Sequence, residues 1–111
     1  MRTLALAVIV AGSACARTAP PHATTVDAER GNVELADLEH GRTLLVRKCG
    51  GSCHQTPLPS THGATQWPVL LGEMAERAHV DPTERRLILN YLVVMAQAPQ
   101  RRVLFGDAVV P

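Results

Sequence analysis

Apolar positions recur at helical spacing in three stretches of the chain, and no stretch alternates convincingly as a strand would. Leu35, Leu38, Leu45 and Val46 form one stripe, which predicts a helix from Asn32 or Glu34 to about Lys48. Gly41 interrupts it. A glycine inside a helix costs roughly 1 kcal/mol against alanine, so close approach of a second helix is expected there. Trp67, Val69, Leu70, Leu71 and Met74 predict a short second helix, with Thr65 as its cap and Pro68 in its first turn. The third stretch opens on Asp81-Pro82-Thr83-Glu84, an N-cap, a first-turn proline and a capping box in succession. It carries Leu87, Ile88, Tyr91, Leu92 and Met95 on one face and runs to about Ala98, where Pro99 stops it. The expected fold class is therefore all-α.

The segments between these helices are of other kinds. Residues 55–64 read as a loop, because Pro57, Pro59 and Gly63 forbid regular structure there. Residues 15–33 show no apolar period and contain Pro20-Pro21. They read as a flexible tether, with His22 solvated. Residues 1–14 read as an export signal: Arg2 is the positive start, Leu4 to Ala11 the apolar run, and Gly12-Ser13-Ala14 the small-residue end. That run is too short to span a bilayer as a mature helix. Cleavage after Ala14 would leave Cys15 as a lipid-modified first residue; cleavage after Ala16 would remove it. The expected organisation is an export signal (1–14), a tether (15–33), a helical domain (34–98) and a tail (99–111) that begins with Arg101-Arg102.

Composition narrows the picture. A chain of 111 residues is expected to hold one domain. Its net charge of +1 gives no basis for nucleic acid as a partner. Loss of residues 1–14 removes only Arg2 and brings the charge to about 0. Aromatic residues make up 3 % of the chain: Trp67, Tyr91 and Phe105. That is thin for a small core, and chains of this size often lean on a metal, a disulfide or a cofactor.

The candidate chemistry lies at the end of the first helix, in Cys49-Gly50-Gly51-Ser52-Cys53-His54. Two cysteines followed at once by a histidine is the arrangement for covalent haem attachment. The two thiols suit thioethers to the two vinyl groups, and the adjacent His54 suits the proximal iron position. The usual spacing is C-x-x-C-H; here one residue is added. Residues i and i+4 share a helix face as i and i+3 do, and Gly50-Gly51 can take up the backbone change without a side-chain clash. In an oxidising compartment Cys49 and Cys53 need a common use. The alternatives are zinc, on Cys49, Cys53, His54 and His62, or a disulfide-stabilised helical interaction module without haem. There is no nucleophile–base set and no phosphate-cradling glycine loop, so enzymatic activity is not expected.

The order of parts resembles a small class I-like c-type cytochrome. It has a helix with Gly41 that ends in the attachment motif, then a Pro-rich loop, a methionine, and a last helix with Tyr91. The run His54-Gln55, Pro57, Pro59, His62, Trp67-Pro68 and Met74 is similar to a group of small bacterial haem lipoproteins. The resemblance covers about residues 34–97. It implies a cytochrome c-like helical domain around one haem c, with Gly41 and Tyr91 where the first and last helices cross. It also implies Met74 as distal ligand, with His79 and then His62 as rivals, and Trp67 and Tyr91 as haem-packing residues. Met95, on the apolar face of the last helix, reads as core filler, and the interval from His54 to Met74 is short for the class. The expectation is a periplasmic or periplasm-facing, membrane-anchored mono-haem electron carrier with a protein redox partner. Its membrane contact would be through a lipid at Cys15.

Overall fold

The computed structural model describes residues 19–50 and 55–99. These residues form four helices and one 3₁₀ turn, with no strand among them. In chain order the helices are α1 (Thr25–Gly31), α2 (Leu35–Cys49), α3 (Trp67–Met74) and α4 (Pro82–Ala96); the 3₁₀ turn is Pro59–Thr61. The all-α class expected from the apolar spacing is the class observed.

The frame is the crossing of α2 and α4. Leu38, Gly41, Leu45 and Cys49 are buried along α2, and Leu87, Tyr91 and Val94 along α4. Gly41 sits against the backbone of α4: a Cβ there would overlap the Leu87 carbonyl and come within 3.0 Å of the Tyr91 Cβ. The glycine that weakens the isolated helix is thus what lets the two backbones meet. α4 starts as its sequence predicts. The Asp81 side chain accepts from the Glu84 amide at 2.8 Å, and the Glu84 carboxylate accepts from the Asp81 amide at 3.1 Å.

Ile88, Leu92 and Met95 continue the buried surface of α4 at i, i+4 and i+7. They belong to the core that also holds Leu44, Leu45, Cys49, Trp67 and Leu71. Both α2 and α3 pack on α4, yet no Cα of one comes within 8 Å of a Cα of the other.

The segment expected to be a flexible tether is a correction. Residues 25–31 within it form α1, which packs on α2 and α4. Thr24 is its N-cap and Asp27 closes a capping box. Asp27 also accepts from the Arg30 guanidinium at 2.6 Å, and Arg30 in turn donates to the Val94 carbonyl at 3.2 Å. Ahead of α1, residues 20–23 are strapped to the frame. Arg42 Nε donates to the Pro20 carbonyl at 2.8 Å, and Tyr91 Oη to the Pro21 carbonyl at 2.6 Å. Glu39 accepts from the Ala23 amide at 2.6 Å and pairs with the His22 Nδ1 at 2.8 Å. His22 is exposed, as expected, but held. Helix ends moved less: α3 is capped at Gln66 rather than Thr65, and Gln66 Oε1 accepts from the Gly63 amide.

Candidate functional site

Cys53 and His54, the second half of the Cys-x-x-x-Cys-His motif, lie outside the described residues, as do Cys15, the segment 1–14 expected to be an export signal, and residues 100–111. The structure places the first half and its surroundings.

Cys49 is the last residue of α2 and is 8 % exposed. It faces the shared core with Trp67, Leu71 and Met95. Burial pushes its thiol above the ordinary cysteine value, which keeps it protonated at neutral pH. The helix stops immediately after it. Gly50 is extended, and its amide still donates to the Val46 carbonyl at 3.2 Å. α2 thus ends at Cys49, and Cys53, expected to point its thiol to the same side, lies outside the described residues.

Gly50 has a packing reason of its own. A Cβ there would overlap the Thr56 hydroxyl and lie 2.6 Å from the Val46 carbonyl. The chain thus leaves α2 at Gly50 and comes back against it at Thr56, so the two ends of the motif segment touch. Thr56 was not singled out by sequence, and nothing in its residue type would have marked it.

Trp67 opens α3 and is 3 % exposed. Its indole Nε1 donates to the Pro59 carbonyl at 3.0 Å. The His62 ring meets it edge-on, with centroids 5.0 Å apart. The Pro-rich loop is thereby pinned to α3 by its carbonyl and by a ring contact. Trp67, Leu71, Met74 and Ala75 fall on one stripe of the helix and its following turn. Three of them are buried, whereas Met74 is 40 % exposed.

Tyr91 is fully buried at the α2–α4 crossing, and its hydroxyl is engaged by Pro21. The ring belongs to the same core as Trp67 and Cys49. His79 is exposed and takes a left-handed backbone, φ 54°, in the turn that closes α3; the Val80 amide donates back to the Ala75 carbonyl. Lys48, next to Cys49, reaches over to that turn: its Nζ donates to the His79 carbonyl at 3.1 Å and lies 3.3 Å from Glu84 Oε2. Sequence reasoning passed over Lys48, for which the only signal was its place beside the motif.

Among the described residues no group of three or more His, Cys, Asp or Glu side chains is placed to hold a metal. Nor is any helix among them long and apolar enough to cross a membrane. Compared with known proteins, the chain matches no family model, no curated protein and no solved structure.

Proposed function

We propose that the protein is a mono-haem c-type cytochrome that carries electrons at the periplasmic face of a bacterial membrane, anchored through Cys15. The observation that carries this reading is the placement of Cys49. The first thiol of the C-x-x-x-C-H sequence ends the helix that crosses α4 through a glycine, and it is buried against Trp67 and Leu71 instead of being offered to water.

The residues fit the group in kind. Two thiols answer two vinyl groups, and an imidazole stands beside the second. The shortage of aromatic residues suits a chain that would complete its core with a large flat apolar group. Cys49 and Cys53 would hold the haem by thioethers, His54 would be the proximal ligand, and Met74 the distal one. Met74 lies on the stripe of α3 whose other members are buried, and is itself 40 % exposed. When bound, haem supplies a one-electron ferrous–ferric couple whose potential follows axial ligation, burial and hydrogen bonding. The chain's own part is to exclude water from the Cys49 side through Trp67, Leu71 and Met95. With a mature charge near zero, docking to a redox partner would rest on local apolar contact more than on long-range steering.

The test is the absorption spectrum of protein exported in a host with active cytochrome c maturation. The reading expects a coloured protein whose visible bands sharpen on reduction and whose haem stays with the denatured polypeptide on a gel. A colourless protein at full yield would contradict it and turn attention to zinc content and to a Cys49–Cys53 disulfide.

A further inference from the structure

A groove opens along α4 beside the turn that joins α1 to α2. Its volume is about 630 Å³, within the range of ordinary binding pockets. Ala28, Val33 and Leu35 give it an apolar lining, and Glu29, Glu34 and Asp37 an acidic one. Asn90 and Arg86 form the α4 wall, one and two turns before Val94, on which Gly31 of α1 packs. The three carboxylates differ from the others on α1, α2 and α4. Asp27, Glu39, Asp81 and Glu84 each accept a hydrogen bond within the fold. Among the described residues, the side chains of Glu29, Glu34 and Asp37 make no hydrogen bond or ion pair, and neither does Arg86.

Residues 100–111 follow α4 in the chain. Two cations, Arg101 and Arg102, come first, then Val103, Leu104 and Phe105, then an acid, Asp107. Trp67 and Tyr91 are buried in the core, so Phe105 is the aromatic residue the core does not use. We propose that the groove is the docking site of the chain's own segment 101–107. Arg101 and Arg102 meet the three unpartnered carboxylates, Phe105 covers the apolar lining, and Asp107 meets Arg86. The segment runs back along α4. Asn90 lies about 9 Å before the end of that helix, and the chain from Gln97 to Arg102 can span about 20 Å. Connection to α4 holds the segment at an effective concentration on the order of millimolar, so weak surface ion pairs suffice to seat it. The contact is independent of haem.

The experiment uses the full chain as wild type, Glu29→Gln/Glu34→Gln, Phe105→Ala and Arg101→Glu/Arg102→Glu. Glu29 and Glu34 are exposed, and the Glu34 side chain caps no amide, so the fold tolerates their neutral forms. Two quantities are read: the rate of tryptic cleavage after Arg101 and Arg102, and the amide shifts of residues 29–37 and 86–90. Cleavage should be about three- to tenfold faster in Glu29→Gln/Glu34→Gln than in wild type, the effect of two exposed ion pairs. It should also be faster in Phe105→Ala. Arg101→Glu/Arg102→Glu, which lacks the cleavage sites, should shift the groove amides with the unfolding midpoint unchanged. The protection should persist on tenfold dilution. Equal cleavage in wild type and variants, with groove amides unmoved, would overturn the proposal. Protection lost on dilution would overturn it as well, by assigning the groove to the segment of a second copy.

Discussion

Tyr91 Oη donates a 2.6 Å hydrogen bond to the carbonyl of Pro21, 70 residues earlier in the chain. The bond joins the centre of the α2–α4 crossing to the strap that leads into α1. Tyr91→Phe keeps the ring and removes the donor. Because Pro21 is exposed, water can replace the lost partner. The expected cost is thus at the low end of about 0.5–1.5 kcal/mol, measured by urea unfolding. Protease cleavage within residues 19–24 should rise more than global stability falls.

The same hydroxyl makes stability fall in alkali. Burial raises the Tyr91 pKa well above its ordinary 10.0; the nearby Arg42 opposes this, while the Glu39 and Asp27 charges add to it. The folded state then keeps a proton that the unfolded chain gives up. This contribution is full below about pH 10 and is lost as pH rises toward the folded value. Tyr91→Phe should flatten the alkaline limb of the stability profile; an unchanged limb would assign it to other groups.

Gly41→Ala sets two magnitudes against each other. Alanine favours an isolated helix by roughly 1 kcal/mol. Its Cβ would overlap the Leu87 carbonyl, and overpacking of this kind costs about 1–3 kcal/mol. A backbone atom cannot turn aside as a side chain can, so the upper part of that range applies. The variant should be destabilised, with a lower midpoint in thermal and urea unfolding.

The crossing was legible in the sequence because both of its halves announce themselves there. The D-P-T-E start fixes α4, the apolar stripe fixes α2, and Gly41 stands out inside that stripe. α1 was missed for the opposite reason. Its seven residues bury Asp27 and no large apolar side chain, so it has no period to read. Its signal was the cap, Thr24 followed three residues later by Asp27, and that signal stood in plain view. The strap and the contacts of Lys48 with His79 and Glu84 join residues far apart in sequence, and such pairings follow from the packed fold alone. At the candidate site, Cys49, Trp67 and Leu71 do share one core. Gly50, expected to accommodate the wider cysteine spacing, sits where the approach of Thr56 leaves no room for a side chain.

Acid should release the strap and α1 before the frame. Burial alone would raise the Asp27 pKa, but hydrogen bonds from Arg30 and Thr24 outweigh it and hold the carboxyl below its ordinary 3.8. For Glu39, burial is likewise outweighed by His22 and the Ala23 amide, and its pKa lies below the ordinary 4.5. Groups with depressed folded values contribute fully above their unfolded pKa and lose that contribution as pH falls through the folded one. Amide exchange of residues 23–31 should therefore accelerate below about pH 4 while the core of α4 stays protected. Asp27→Ala should bring the same change at neutral pH, at a cost of about 1–2 kcal/mol. Exchange rising equally in α1 and α4 would count against a separate release.

Gly50→Ala probes the attachment segment without touching a proposed ligand. Its Cβ has no room between the Thr56 hydroxyl and the Val46 carbonyl, so the return of the chain must shift. A cost of about 1–3 kcal/mol is expected, with less haem bound per polypeptide. Full haem content in this variant would show that the Gly50–Thr56 approach is not needed for attachment.

On the proposed function, this chain holds haem covalently through Cys49 and Cys53. The most direct measurement is the intact mass of the denatured, exported protein after extraction of free haem, for wild type and for Cys49→Ser/Cys53→Ser. Wild type is expected to retain the mass of one haem, and the double variant is not. A wild-type mass equal to the polypeptide alone, at full yield from a host that matures other c-type cytochromes, would contradict it.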